Sequence, residues 1–267
     1  MAQGSNSGVA IVTGAASGMG LAAARLMAEA GMPVLLCDLH AERLVQAAAE
    51  FSGKVETLAG DVSDLAFGER LGAALGERKI GALIHCAGLS PTMADPARIL
   101  EVNLAATMRL TEFARPRMVQ GACAVLFSSS SAHQAGDTMD EKIGAVTVPA
   151  DVSKLLELSP NSGIAYMVSK RGVLLLAQRE AGGFGAVGAR LVSISPGIID
   201  TPMGRAEMEK HTVMQKMVDQ SALRRPALAE EVAAVAAFLC SPAASFVTAI
   251  DILVDGGAIA GGKWEGR

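Results

Sequence analysis

A chain of 267 residues with a formal net charge of −4 and no basic run offers nothing to a nucleic-acid backbone or an anionic membrane surface. Hydrophobic residues make up 51% and aromatics only 3%, with 29 glycines, a mixture that suits a close-packed helix-and-strand core with many tight turns. The polar start "MAQGSNSG" is not expected to be a secretory signal, and the longest apolar runs are too short to span a bilayer.

In chain order, "VAIVTG" (9–14) reads as a buried strand and "GLAAARLMAEAG" (20–31) as a helix ending at Gly31. "PVLLCD" (33–38), a helix from about Ala41, "VETLAGDV" (55–62) and a helix near 64–76 follow. Then come "IGALIHCAG" (80–88), a long helix near 97–118, and "CAVLFSS" (123–129). The later strands are "ARLVSIS" (189–195) and "AIDILVDGG" (249–257), with a helix near 228–240 between them. Continuous apolar strands alternating with helices imply a parallel sheet covered on both faces. The expected fold is therefore α/β, a doubly wound parallel sheet of Rossmann type in a single domain spanning 1–267. Two stretches interrupt the rhythm, 132–163 and the Met-rich 198–227, and both follow the C-terminal ends of strands, where such folds place ligands. The first is an insertion and the second a candidate substrate lid. The Gly-rich tail is expected to be partly mobile.

The four cysteines, Cys37, Cys86, Cys123 and Cys240, stand singly in apolar segments without CxxC spacing. They read as reduced core thiols of a cytoplasmic protein, and no metal site is expected.

"TGAASGMG" joins the first strand to the first helix. Gly14, Gly18 and Gly20 permit a tight turn and a close-lying pyrophosphate, whose charge the helix N-terminus attracts. Ser17 and Met19 stand between these glycines and belong to the same candidate cradle. No Gly-Lys-Ser/Thr follows, which excludes a P-loop. Asp38, eighteen positions after Gly20 and followed by Leu39, ends the second strand. An acid there accepts hydrogen bonds from the adenosine ribose and repels a 2′-phosphate, which favours NAD over NADP. The alternative is that Asp38 caps the helix from Ala41. Asp61 would bond the adenine amino group while Val62 packs on its ring. Ala87 and Gly88 of "CAG" would let the cofactor lie near the backbone.

The chain contains one tyrosine, Tyr166, and Lys170 lies four positions later, so on a helix the two share a face. With "TGAASGMG", "DV" (61–62), "CAG", "VN" (102–103), "SS" (128–129), "YMVSK", "SPGIIDT" and "VDGG" in order, the sequence resembles the short-chain dehydrogenase/reductase family in its compact single-domain branch. Cys86 stands where that family usually has Asn. "CAGLSP", "SSAH" and "FLCSPAAS" are similar to the bacterial hydroxysteroid dehydrogenase/carbonyl reductase members.

The resemblance implies Tyr166 as general acid/base and Lys170 as the cation that lowers the phenol's pKa and binds the nicotinamide ribose. It implies a serine that bonds the substrate oxygen, and Asn103 as holder of a water that links Lys170 to solvent. Within "SSSS" (128–131) the motif selects Ser129, with Ser130 as the fallback. Pro196 and Gly197 would shape the turn under the nicotinamide, with Ile199 and Thr201 holding its carboxamide. Ser129 and Tyr166 are thirty-seven positions apart, longer than the family's usual gap, and the 132–163 insertion is expected to cover the active site or alter a subunit interface.

The chemistry asks for a base competent near neutrality. A free tyrosine, of pKa about 10, is ionised in roughly one molecule per thousand at pH 7, and neighbouring positive charge favours its phenolate. The expected activity is hydride transfer between NAD and a secondary alcohol or ketone, apolar or alicyclic and steroid-like in one version, in a homodimer or homotetramer. The alternatives are an NADP-dependent carbonyl reductase, a catalytically silent nucleotide sensor on the same fold, and an enoyl reductase, which the four-position Tyr–Lys spacing disfavours. Met203, Met208, Met214 and Met217 would line an adaptable lid or pack as the core side of a helix. His133 would reach the substrate or stay on the surface, and His40, His85 and His211 read as structural or solvated.

Overall fold

The computed structural model describes residues 8–53, 55–210 and 212–264. Its first half runs β1 (Val9–Thr13), α1 (Gly18–Glu29), β2 (Val34–Asp38), α2 (Ala41–Ala48), β3 (Val55–Ala59), α3 (Phe67–Leu75) and β4 (Ile80–His85). It continues through α4 (Pro96–Leu100), a π-helical turn (Glu101–Ala105), α5 (Ala106–Ala114) and β5 (Met118–Phe127). Past a 3-10 turn (Ser130–Gln134) come α6 (Asp137–Gly144), a 3-10 stretch (Pro149–Leu158), α7 (Ser162–Ala186) and β6 (Arg190–Pro196). The chain ends with β7 (Ile199–Asp200), α8 (Pro202–Lys210), α9 (Thr212–Gln220), β8 (Ala227–Leu228), α10 (Ala229–Cys240), β9 (Asp251–Val254) and α11 (Ala258–Trp264).

Seven strands form one parallel sheet in the order β3-β2-β1-β4-β5-β6-β9, so the fold is the expected single-domain Rossmann arrangement. Ile11 registers with Leu35 on one side and Leu83 on the other. Leu83 registers with Ala124, and Ala124 with Leu191. Each of these is buried, because a strand covered on both faces has no solvent side. One core lies under α3, α5 and α7 and includes Leu71, Met108 and Phe184. The other lies under α1 and α10 and includes Met27, Val232 and Leu239. Cys37, Cys123 and Cys240 are buried free thiols and Cys86 is partly buried.

The chain turns from β1 toward β2 on one side, while β4 takes the other side, and the crevice opens where the two directions part. Their ends nearly touch: a Cβ on Gly14, whose φ is +66°, would stand 2.9 Å from the Ala87 nitrogen. A Cβ on Gly20 would stand 2.2 Å from the Gly14 carbonyl oxygen, so α1 starts tightly against β1.

Several boundaries depart from the sequence reading. The helix expected over 97–118 is interrupted by the π turn at Asn103 and stops at Ala114, because Pro116 in the turn Arg115–Arg117 cannot donate to a helical ladder. β5 begins at Met118, five residues before the expected Cys123. The tail is a helix, α11, rather than a loose extension, and a Cβ on its Gly261 would stand 2.1 Å from the Gln220 carbonyl oxygen of α9.

The 132–163 insertion folds as α6 and the 3-10 stretch. Ile143, Val146, Val152 and Leu155 are buried in the α7-side core. Asp140 pairs with Arg171, and Arg179 donates to the Val146 carbonyl at 3.0 Å. The insertion therefore buttresses α7. The 198–227 segment contains α8 and α9 between β7 and β8, which pair as a small parallel sheet. Its four methionines are not buried: Met203 is exposed and Met208, Met214 and Met217 are half-buried, so they do not form the core side of a helix. Among the described residues, no helix is long and apolar enough to cross a membrane.

Candidate active site

Two reciprocal hydrogen bonds fix α7 against the end of β5. Lys170 Nζ donates to the Phe127 carbonyl at 2.8 Å, and Ser128 Oγ donates to the Lys170 carbonyl at 2.8 Å. The strand then continues into Ser129, extended at φ −165°, which opens the 3-10 turn and accepts from the Ser131 N–H at 3.2 Å and the Ser131 hydroxyl at 3.1 Å. Ser129 stands near enough to the Tyr166 phenol for its hydroxyl to favour the phenolate. Of the two candidate serines, Ser129 is the one whose hydroxyl acts on the phenol.

Lys170 is buried, with Nζ 5.8 Å from the centroid of the Tyr166 ring. Burial lowers its pKa to about 8, against a smaller opposing effect from the Cys86 thiol. The phenol does not behave as the sequence reading expects. Burial raises its pKa above the ordinary tyrosine value, the Ser129 hydrogen bond pulls it back, and the charge of Glu207 raises it further. The Lys170 ammonium is itself hydrogen-bonded to the Phe127 carbonyl.

Asn103 sits in the π turn, where the widened helix turns its side chain toward the end of β4. Oδ1 accepts from the Leu89 N–H at 2.7 Å, and Nδ2 donates to the Leu89 carbonyl at 2.9 Å and to Ser169 Oγ at 3.2 Å. Its own carbonyl accepts from the Thr107 hydroxyl at 2.7 Å. Gly88 lies under both groups: a Cβ there would stand 3.1 Å from Asn103 Oδ1 and 3.3 Å from Lys170 Nζ. Asn103 and Lys170 therefore both close on Gly88, where any side chain would press on them.

A buried chain of hydrogen bonds runs behind these groups. Thr13 Oγ1 meets His85 Nδ1 at 2.7 Å, His85 Nε2 meets Thr107 Oγ1 at 2.9 Å, and Ala87 N–H donates to Thr13 Oγ1 at 3.2 Å. Burial, with the Lys170 charge adding to it, lowers the His85 pKa to about 3. The ring is neutral at physiological pH and structural, as the sequence suggested. His40 is exposed on the surface and His133 pairs with the buried Asp251 at 2.9 Å, which directs it away from a substrate role. His211 lies outside the described residues.

The cradle at the start of α1 fits an anionic dinucleotide on this chain's own geometry. Gly14 and Gly18 have φ of +66° and +54°, and Ser17 occupies the N-cap of a twelve-residue helix without closing it by a side-chain bond. Met19 packs partly buried against the α1-side core. Asp38 Oδ2 accepts from the Ala16 N–H and Oδ1 from the His40 N–H, both at 3.0 Å. The carboxylate thus braces the glycine turn and does not cap α2, whose N-cap is His40. Leu39 is exposed beside it.

Asp61 is not a free acceptor. It accepts from the Ser63 N–H at 2.9 Å and the Ser63 hydroxyl at 2.6 Å, and it pairs with Arg98. Burial works against its charge, but these partners hold its carboxyl below the ordinary range. Val62 packs against the α7-side core. At the other end of the cleft, Pro196 closes β6, and a Cβ on Gly197 would stand 2.7 Å from the Asp255 Cα. Ile199 is buried, and Thr201 Oγ1 accepts from the Gly204 N–H at 3.1 Å to start α8. The Thr201 methyl would lie 3.1 Å from a Cβ on Gly18, so the residue that precedes α8 touches the glycine turn.

The sequence reading missed Glu207. It is the one residue of α8 buried by its surroundings, and Ser90 Oγ donates to its Oε1 at 2.5 Å. Nothing in the string "RAEMEK" distinguishes it from Glu209, because its burial depends on where α8 docks.

The family profile described as "short chain dehydrogenase" matches residues 8–141, and the one described as "Enoyl-(Acyl carrier protein) reductase" matches 137–258. The chain belongs to the short-chain dehydrogenase/reductase family. Cis-4-hydroxycyclohexanecarboxylate dehydrogenase of Sinomonas cyclohexanicum is 32% identical, over 93% of this chain and 95% of that one. The 3-alpha-hydroxysteroid dehydrogenase/carbonyl reductase of Comamonas testosteroni is 25% identical over 93% and 95%. A short-chain dehydrogenase/reductase structure from Brucella melitensis, 29% identical, superposes with a TM-score of 0.78 over 97% of this chain and 99% of that one. The protein is accordingly an oxidoreductase of a family that uses nicotinamide cofactors, NAD or NADP.

Two outcomes test this geometry. Ser129→Ala removes a hydrogen bond that favours the phenolate, so the ionisation midpoint of Tyr166 rises, while Ser130→Ala leaves it in place. The lone tyrosine makes the ultraviolet absorbance of tyrosinate a direct readout. For His85, the ordinary pKa is 6.5 and the folded value about 3. Between these values the unfolded chain binds the extra proton, so stability is full above pH 6.5 and falls as pH drops toward 3, by several kcal/mol, on the order of 4. Urea midpoints followed down that window should fall less steeply in His85→Gln than in the wild type.

Proposed function

We propose that this protein is an NAD-dependent dehydrogenase that transfers hydride between the nicotinamide and a secondary alcohol or its ketone, with Tyr166 as general acid/base. The observation that carries the reading is the Tyr166 phenol ring on the same helix as the buried Lys170, whose Nζ lies 5.8 Å from the ring centroid.

Gly14, Ser17, Gly18, Met19 and Gly20 would hold the pyrophosphate. Asp38 and Leu39 would receive the adenosine ribose, Asp61 and Val62 the adenine, and Ala87 and Gly88 the stretch that crosses β4. Pro196, Gly197, Ile199 and Thr201 would bound the nicotinamide. Asp38 supports NAD because two backbone N–H groups hold its carboxylate where a 2′-phosphate would lie, and like charges repel.

The bound nicotinamide supplies the hydride acceptor or donor and, when oxidised, a positive charge. In the oxidative direction Tyr166 accepts the hydroxyl proton and Ser129 donates a hydrogen bond to the developing alkoxide. Since burial and Glu207 raise the phenol's pKa in the protein alone, Tyr166 becomes a competent base near neutrality only when positive charge is gathered beside it. Lys170, with a pKa near 8, is mostly protonated at pH 7 and supplies part of that charge. The approach of Lys170 and Asn103 to Gly88 suits the water-linked proton path that the family resemblance implies.

The relatives named for a ring alcohol and a hydroxysteroid support an apolar or alicyclic substrate. The second-half profile carries an enoyl reductase name, yet the four-position spacing of Tyr166 and Lys170 on α7 supports the alcohol/ketone reading. Buried free thiols support a reducing, cytoplasmic setting, and family habit supports a homodimer or homotetramer.

Reduced-nicotinamide absorbance against a panel of secondary alcohols and ketones tests the reading. Tyr166→Phe should lower kcat by about 10²- to 10⁴-fold while the dinucleotide still binds by calorimetry; near-normal turnover removes Tyr166 from the mechanism. Asp38→Ala should narrow the NAD-over-NADP ratio of kcat/KM by about tenfold or more. A wild-type enzyme that prefers NADP refutes the assignment of Asp38.

A further inference from the structure

A polar contact stands at the edge of the sheet, on the side where its core is otherwise apolar. Side chains alternate along a strand. Leu191 of β6 belongs to the α7-side core, while Val192 and Ile194 belong to the other, so Ser193 faces α7. Asp251 of the edge strand β9 registers with Ser193. Its side chain is 5% exposed, and burying a carboxylate is unfavourable unless partners hold it. Two partners do. Oδ1 accepts from the Ser193 hydroxyl at 2.5 Å, and Oδ2 meets His133 Nε2 at 2.9 Å.

His133 reaches β9 from the 3-10 turn Ser130–Gln134, which Ser129 opens. The Ala132 N–H donates to the Ser129 carbonyl at 2.9 Å. The Ser131 N–H and hydroxyl donate to Ser129 Oγ at 3.2 and 3.1 Å. Ser129 is thus held, backbone and side chain, by the two residues directly before His133. Among the described residues, the bond to Asp251 is the one side-chain hydrogen bond that ties Ser130–Gln134 to another element. On the upstream side, Lys170 and Ser128 fix the end of β5. The turn that sets Ser129 therefore has one anchor at β5 and a second at β9.

We propose that His133 and Asp251 are positioning residues for Ser129: their bond pins the turn to the edge strand and so fixes the direction of the Ser129 hydroxyl toward the reacting oxygen. The proposal rests on the reading of Ser129 and Tyr166 given above. His133 and Asp251 act through the turn and do not touch the substrate. A hydroxyl that stabilises a developing alkoxide works only within a narrow range of distance and direction. A serine side chain is short, so the backbone beneath it sets that range. Released from β9, the turn keeps its internal bonds but loses its second anchor, and the hydroxyl moves with it.

The test uses the best substrate of the alcohol and ketone panel. His133→Ala should lower kcat about tenfold or more, while dinucleotide affinity by calorimetry stays at the wild-type value. His133→Gln keeps a nitrogen donor for Asp251 and should recover most of that loss. Asp251→Ala should match His133→Ala, and the two together should cost no more than either alone. In a Ser129→Ala background, His133→Ala should cost nothing further, whereas a general loss of stability would add to the first loss. A second readout needs no substrate. The Ser129 hydroxyl favours the phenolate, so the Tyr166 absorbance midpoint should rise in His133→Ala and stay put when Ser129 is already replaced. Wild-type kcat or an unmoved midpoint in His133→Ala, no recovery in His133→Gln, or an undiminished loss in the Ser129→Ala background overturns the proposal. If Ser129→Ala itself alters neither kcat nor the midpoint, the reading of Ser129 fails first and the proposal falls with it.

Discussion

A buried ammonium organises the centre of this molecule. Lys170 has lost its water and gained the Phe127 carbonyl, while its own carbonyl receives Ser128. This exchange sets the rotation of α7 over the end of β5 and brings Tyr166 to Ser129. It also determines what can stand nearby. A side chain at Gly88 would press on the ammonium and on Asn103, and His85 remains neutral chiefly because it is buried, with the Lys170 charge adding to that.

The electrostatics of the site are poised rather than relaxed. Burial raises the phenol and lowers the ammonium, so desolvation pushes each toward its uncharged form. Glu207 raises the phenol further and Ser129 opposes it. A site arranged in this way responds strongly to a single added charge, because its groups are poorly screened. The two halves of the Rossmann sheet meet beside it. The glycine turn of β1–α1 and the root of α8 at Thr201 lie against each other.

The insertion and the lid show how far sequence patterns reach. The 132–163 stretch has apolar residues that lock into the α7-side core, yet they alternate with polar ones at spacings that fit neither a full helix nor a strand, and ten of its residues fold as 3-10. The lid reads as Met-rich, but its methionines are half-exposed or exposed and its buried residue is a glutamate. Hydrophobicity predicts burial only where no specific partner exists. Glu207 has three donors waiting on a loop that the sequence places far away.

What the sequence determined alone is local: apolar runs that must be strands covered on both faces, glycines at φ-positive turns, and a Tyr–Lys pair one helical turn apart. These follow from backbone sterics and periodicity, which act over a few residues. The tertiary structure decided what depends on distant groups meeting. It brought Ser129 to the phenol because the extended residue before the 3-10 turn faces α7. It committed Asp61 to Arg98 and Ser63. It buried the Tyr166 phenol, and so raised a pKa that the sequence pattern had suggested would fall. Desolvation caused that reversal, and it exists only once the chain has closed around the group.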